Sequence, residues 1–277
     1  MNTLLGFPAS SATPAFGRLL KQWRTTRHMS QLTLATEAGI STRHLSFLET
    51  GRAQPSREML QLLACMLDVP LGERNALLVS AGYAPMYAER PLGSPELAPV
   101  RRALEFILRQ QEPYPALVLD GDWNVVMHNA AAVRMFEPFK AGGQTANVMH
   151  KVFDPNALRP FIVNWEEIAA CLMHNVHREI AATGSESLVA LRDALLAYPG
   201  VPALWRTADA VSPVDPLVAM HLRKGEASMA FFSTVTQFAT ACDITLQQLK
   251  IECFFPADGA TEQLSRRLAE SSEPIAV

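Results

Sequence analysis

Apolar residues recur at three- and four-residue spacing along most of the chain, and the breaks in that spacing mark its elements. Between residues 16 and 52 the breaks come close together. Ser30 is a good N-cap for a helix beginning at Gln31, and Leu34, Ala35 and Ala38 give that helix an apolar face. Gly39 supplies the left-handed backbone that ends it, and Ile40 fills the gap to the next helix. Ser41 caps that helix, which buries Leu45 and Leu48 and stops at Gly51. Two short helices joined by a tight turn form a unit whose second helix can enter the major groove of DNA. Thr42, Arg43, Ser46 and Phe47 stand outward near its N-terminus.

After LDVPLGERNALLVSAGYAP, which reads as a last helix of this unit, the segment MYAERPLGSPELAP brings Pro91, Pro95 and Pro99 in quick succession after Pro85. The pattern predicts four parts: a loose arm over 1–15, a helical domain over 16–85, a linker over 86–98 and a larger domain over 99–277. Helical spacing returns at Val100, Leu104, Ile107 and Leu108 and is halted by Pro113 and Pro115. The runs 116–120 and 123–128 flank Gly121-Asp122, a polar turn that reads as a hairpin, and Asn129 is placed to cap the helix AAAVRMF. Three apolar-periodic helices follow in NWEEIAACLMHNVHREI, SLVALRDALLAY and PALWRTAD. Strands then return in LVAMHLR, ASMAFFSTVTQF and KIECFFPA. Two strands first and three last around a helical middle is the order a five-stranded PAS-like sheet needs. The predicted fold is an all-α helix-turn-helix domain followed by an α+β PAS-like domain with an antiparallel sheet and inserted helices. Alternation does not reveal which parity of the first two strands faces inward.

Length and charge sharpen this division. The chain has 277 residues, 49% of them hydrophobic, enough for two domains with a core each. Its net charge of −3 is polarised: residues 16–90 hold nine Lys/Arg against six Asp/Glu, and residues 91–277 hold 15 against 21. A modestly basic module on an acidic body suits a specific DNA binder better than one that coats nucleic acid. Cys65, Cys171, Cys242 and Cys253 make no CxxC pair and no disulfide framework, which points to reduced thiols and a cytoplasmic protein. No run approaches the roughly 18 apolar residues that span a bilayer, and MNTLLGFPASSATPAF lacks a basic start; neither export nor a membrane partner is expected.

Three ordered segments, SQLTLATEAGIS, HLSFLETGRAQPS and MLQLLACMLDVP, resemble the XRE (phage-repressor-like) helix-turn-helix family over about residues 16–80. That resemblance implies phosphate contacts from Gln31, Ser41 and Arg52, and base-facing positions at Thr42, Arg43, Ser46 and Phe47. PALVLDGDWNVVMHNAAAVRMF, PALWRTAD and DITLQQLKIECFFPADGATEQL resemble the MmyB-like ligand-binding domain, which follows an XRE module in many bacterial regulators. Together the two resemblances imply a one-component transcription regulator with a double-stranded DNA operator and a small apolar ligand such as a fatty acid. No resident cofactor is implied. Met127, Phe136, Leu172, Trp205, Phe231 and Phe232 are the candidate pocket walls, set against the plain alternative that aromatic and Met residues at such spacing are core. A homodimer is expected, because two DNA half-sites about one helical turn apart demand two heads at fixed spacing.

A different class, an enzyme or metal sensor that merely carries a helix-turn-helix, remains to be weighed. Cys171, His174 and His177 have a metal-like spacing, but on a helix over 165–182 each step of three residues drifts by about 60° from one face, and no fourth ligand is in view. His128 and Asp120 could be paired on paper with Ser228 or Ser233, yet the chain has no G-x-S-x-G turn and no phosphate-binding glycine loop. The reading is of a protein without catalytic residues and without a metal site. An antitoxin-like role is weakened by the size of the second domain.

Overall fold

A computed structural model describes residues 15–139, 145–208, 217–239 and 241–271. The predicted arm over 1–15 lies almost wholly outside them. The chain divides into two compact units, Met1–Glu89 and Arg90–Val277.

Among the described residues the first unit has five helices: α1 (Ala15–Thr26), α2 (Gln31–Glu37), α3 (Thr42–Thr50), α4 (Arg57–Met66) and α5 (Leu71–Ser80). Phe16, Leu20 and Trp23 line one face of α1 and meet Leu34, Leu45, Leu48, Leu60 and Leu63 in a single core. The caps stand where the sequence puts them. Ser30 accepts from Thr33 N–H, Ser41 from His44 N–H and Ser56 from Met59 N–H, each satisfying a donor that the first turn leaves open. Gly39 and Gly51 adopt φ of 66° and 76°, the left-handed backbone that lets the chain turn out of α2 and α3. Gly17 serves a different need. A Cβ there would lie 2.4 Å from the Glu49 carbonyl oxygen, so the lack of a side chain is what lets α1 pack directly on the backbone of α3.

The second unit begins with α6 (Ala98–Gln110), then β1 (Ala116–Leu119), β2 (Val125–His128), α7 (Ala130–Phe136), α8 (Val148–Phe153), α9 (Trp165–Thr183) and α10 (Glu186–Leu196). It ends with β3 (Met220–Lys224), β4 (Ala227–Thr236), α11 (Ile244–Gln248), β5 (Lys250–Pro256) and α12 (Gly259–Glu270). The five strands form one antiparallel sheet in the order β2-β1-β5-β4-β3, with β5 in the middle. One face of the sheet carries α6: Leu104 and Leu108 pack on Ala116, Val118, Ile251 and Cys253. The other face meets the larger core, in which Leu119, Phe231 and Phe254 are joined by Met173 and Val176 of α9 and Leu188, Leu191 and Leu195 of α10.

The join between β2 and α7 is set by one side chain. Asn129 is buried, and its Oδ1 accepts from the N–H groups of Ala132 and Ala116, both at 3.0 Å. Its Nδ2 donates to the carbonyls of Tyr114 and Leu108 at 2.8 and 3.2 Å. The expected cap of α7 therefore also ties the end of α6 to the start of β1.

The expected linker is shared between the units. Met86 and Tyr87 give their N–H groups to Asn75 Oδ1, at 2.9 and 3.0 Å, within the first unit. Arg90 bonds Asp243 at 2.9 Å within the second, and Pro95–Leu97 form a 3-10 turn leading into α6. The hairpin turn also differs from a plain Gly-Asp turn. Trp123, not Gly121, takes the left-handed backbone, at φ 68°, while Asp120 Oδ1 holds the N–H groups of Asp122 and Asn124 at 2.9 Å each.

Asn129→Ala removes four hydrogen bonds and strands buried backbone groups at three points. It should destabilise the second unit by about 2–4 kcal/mol, the sum of a lost cap and at least one unsatisfied buried group. Urea unfolding of the full chain, followed by far-UV circular dichroism, measures this, and an unchanged midpoint would contradict the assigned role.

Candidate functional site: the DNA-reading face and the cavity

On the first unit the predicted DNA residues cluster on one side. Ser41, Arg43 and Arg52 are exposed, and Thr42, Ser46 and Phe47 are half-buried at the start and outer side of α3. The Phe47 ring lies under both arginines, with guanidinium carbons 5.3 Å (Arg43) and 5.9 Å (Arg52) from its centroid. A cation–π contact of this kind limits the rotamers of both long side chains.

Gln31, at the first position of α2, is oriented from below. Its Nε2 donates to Glu49 Oε2 at 2.8 Å, and Glu49 is in turn held by the buried Arg24 at 2.6 and 3.0 Å. The Arg24 guanidinium also donates to the Met29 carbonyl at 2.8 Å, so one fork ties α1, the turn before α2, and α3. Burial of such a pair is tolerated because the carboxylate oxygens are both bonded, and Glu49 holds Arg24 further in its charged form through a side-chain hydrogen bond. Arg18 and Lys21 of α1 border the same shallow depression as Gln31, Glu49 and Thr50. Sequence pattern did not single out these two cations. Their i, i+3 spacing on the exposed side of α1 is the signal that would have found them.

The second unit contains a cavity of about 960 Å³ on the sheet face opposite α6. Its wall is built from Phe136 of α7, Leu172 of α9, and Leu117, Phe231 and Phe254 of the sheet. Such a volume and lining are those of a small-molecule site. The structure thus brings Phe136, Leu172 and Phe231 together and places the other three expected wall residues elsewhere. Met127 lies on the α6 side, because the β1–β2 register shifts between Val118 and Leu119: His128 and Val125 face Leu117 and Leu119, whereas Met127 faces Val118. Phe232 also points to the α6 side, stacked on Phe255 at 5.4 Å. Trp205 sits in a 3-10 turn, Ala203–Arg206, and is a core residue beside Trp165, its carbonyl accepting from His177 Nε2 at 2.7 Å.

That bond accounts for His177 of the C-x2-H-x2-H run. Cys171 instead borders the cavity, where burial pushes its thiol pKa up. No group of three His, Cys, Asp or Glu residues suited to a metal ion occurs among the described residues. Ser228 pairs with Arg223 in the β3–β4 ladder, away from His128.

One polar group in the cavity escaped the sequence reading. Glu252 lies on the cavity side of β5, and burial raises its carboxyl pKa against the opposing effects of a Ser233 hydrogen bond and the charge of Lys250. Lys250, two residues earlier, is buried with its Nζ 2.6 Å from Glu179 and 4.1 Å from the Trp123 ring centroid. Burial lowers its pKa while Glu179 raises it.

This architecture is that of a helix-turn-helix DNA-binding unit joined to an α+β sensory domain, and the comparisons agree. The family described as MmyB-like transcription regulator ligand binding domain matches residues 100–268, and a helix-turn-helix family matches residues 20–74. The chain belongs to the MmyB-like family, and is a DNA-binding transcription regulator with a ligand-sensing domain. No curated protein matches it. A solved structure described as "Structure of an RNA-binding Light-Oxygen-Voltage Receptor" is similar at 12% identity and a TM-score of 0.25, over 93% of this chain and 62% of that one, too weak a likeness to bear on function. No described helix is long and apolar enough to cross a membrane.

Arg43→Ala should weaken binding to a selected operator by about 1–3 kcal/mol while sparing non-specific DNA, since a bidentate base contact reads sequence. Gln31→Ala should weaken both more evenly, as a phosphate contact does. Fluorescence anisotropy with operator and scrambled duplexes at two salt concentrations separates the roles; equal operator affinity of wild type and Arg43→Ala would remove α3 from the reading face.

Proposed function

We propose that this protein is a one-component cytoplasmic regulator that binds its operator as a homodimer and changes DNA affinity when an apolar, fatty-acid-like chain fills the cavity of the second unit. The observation that carries the reading is that cavity: about 960 Å³, walled by Phe136, Leu172 and Phe231, on a sheet whose other face is closed by α6. An opening of this size, lined mainly by apolar side chains with a few polar groups, has the character of a small-molecule site and so supports an apolar occupant. The DNA side rests on Thr42, Arg43, Ser46 and Phe47 for base edges, and on Gln31, Ser41 and Arg52, joined by Arg18 and Lys21, for phosphates. The dimer is supported by the demand of paired half-sites for two heads.

The chemistry favours a binding protein over an enzyme. A nucleophile needs a base within hydrogen-bond reach and an orienting third group. Cys171 borders the cavity as a thiol whose pKa burial raises, which disfavours the nucleophilic thiolate there.

A ligand alters operator affinity only by binding two arrangements of the protein unequally, and coupling between sites of this kind is typically about 5- to 150-fold. Saturating dodecyl-chain ligand should therefore shift operator affinity by a factor in that range, in one direction. Leu172→Trp, which extends an indole from α9 into the cavity, should abolish the shift. Operator titrations with delipidated protein, with and without ligand, measure both; a response that survives in Leu172→Trp would place the ligand elsewhere.

A further inference from the structure

β4 outruns its neighbour. β3 pairs with Ala227–Phe231, whereas β4 continues to Thr236 and is paired with β5 along Phe231–Thr236. From Phe232 onward one edge of β4 therefore has no strand beside it among the described residues. Bonds at the start of this stretch tell which backbone groups lie on that edge. Ala230 N–H donates to Thr261 Oγ1 and its carbonyl accepts from Ala257 N–H, both on the β5 side, since Ala257 directly follows β5. Phe254 N–H is given to Pro115 on the β1 side, which turns the groups of Cys253 toward β4, opposite Thr234. Backbone groups alternate along a strand, so Phe232, Thr234 and Thr236 bond β5, and the N–H and C=O groups of Ser233 and Val235 point outward from the sheet.

Nothing in the side chains guards this edge. Ser233, Thr234, Val235 and Thr236 are all exposed, none is charged or proline, and three are β-branched. Proteins blunt free edges with charges, prolines or covering segments. This chain does so elsewhere: Val163 N–H bonds the His221 carbonyl and Ile162 bridges Leu222 along the outer edge of β3, and Val125 N–H of β2 bonds the Ala146 carbonyl. Val235 is 51% exposed, and so is Leu217 (61%), whose neighbour Val218 borders the same cavity as Ser233 and Val235.

Resting on the reading of the protein as a homodimer, we propose that a second copy of this chain docks on that edge, β4 against β4 about a two-fold axis at Thr234, so that the two sheets join edge to edge. With the axis there, Ser233 of each copy lies opposite Val235 of the other, and each of these pairs exchanges both its N–H···O=C bonds. Thr234 meets its own copy at the non-hydrogen-bonded position, where Cα atoms are about 4.5 Å apart. The edge suits a copy of itself: antiparallel pairing about an axis matches every outward N–H with an outward C=O, and an operator with paired half-sites calls for a two-fold. An interface of one short strand is at the small end of the range, so the dimer should depend on concentration. Ser233 and Val235 also border the cavity, so ligand and second copy meet the same two residues, which gives occupancy a direct path to the dimer.

Sedimentation equilibrium of the full chain measures the dimer dissociation constant, with far-UV circular dichroism to check the fold of each variant. Val235→Pro removes an N–H that faces no strand of its own sheet, a place where proline is tolerated, and should raise the dissociation constant at least about tenfold. Thr234→Lys and Thr234→Glu keep every backbone bond. Each alone sets like charges face to face and should dimerise more weakly than wild type, while an equimolar mixture of the two should recover the association. A folded Val235→Pro that dimerises like wild type would overturn the proposal, and so would a mixture of the two Thr234 variants that associates no better than either alone. Failure of the homodimer reading looks different and removes the proposal with it: wild type then stays monomeric at every concentration and the operator takes up single chains.

Discussion

Side chains alternate faces along a strand, so a strand hydrogen-bonded on both edges commits every residue to one of two environments. β5, in the middle of the sheet between β1 and β4, is the most central of the strands so placed. Its register against β1 and β4 sends Ile251 and Cys253 under α6 and leaves Lys250, Glu252 and Phe254 on the side of α9 and the cavity. A slip of one residue would bury the Lys250 and Glu252 side chains beneath α6 and empty the cavity floor of its carboxyl. The ion pair of buried Lys250 with Glu179, capped by the Trp123 ring, resists such a slip, because breaking it would leave a buried charge uncompensated. Asn129 fixes the other end of the sheet by stitching β1, α6 and α7 to a common point.

The first unit follows a simpler logic in which polar groups position and apolar groups hold. Gly17 lets α1 touch the backbone of α3, and Arg24 then reaches Glu49 across that contact. Glu49 passes the order on to Gln31, so the residue proposed to meet a phosphate is held by a bond that traces back to the core. Preorganisation of this kind reduces the side-chain entropy lost on binding DNA.

Much of the architecture was legible because its signals are local. Ser30, Ser41, Gly39 and Gly51 specify the two helices of the DNA unit by capping chemistry alone, and the order of strands and helices in the second unit follows from periodicity. The cavity was legible only in part, because its walls depend on register. The shift between Val118 and Leu119 exchanges the faces of Met127 and His128, and no alternation rule reveals an irregularity of that kind. Trp205 was misplaced for a related reason: its 3-10 turn packs on residues distant in sequence, Trp165 and His177. Glu252 was hidden because a Glu between Ile251 and Cys253 reads as the solvent side of a half-buried strand. Nothing local shows that β5 is central and covered on both faces.

Occupancy of the sheet face opposite α6 by the proposed apolar chain can be read directly, because methionine methyl groups report on the two faces separately. Met220 borders the cavity, whereas Met127 packs on the α6 side. In protein labelled with ¹³C at the methionine methyls, titration with a dodecyl-chain ligand should shift the Met220 resonance and give intermolecular nuclear Overhauser effects to the chain, with Met127 unmoved. Contacts from the chain to Met127, or a titration that leaves Met220 in place, would contradict it.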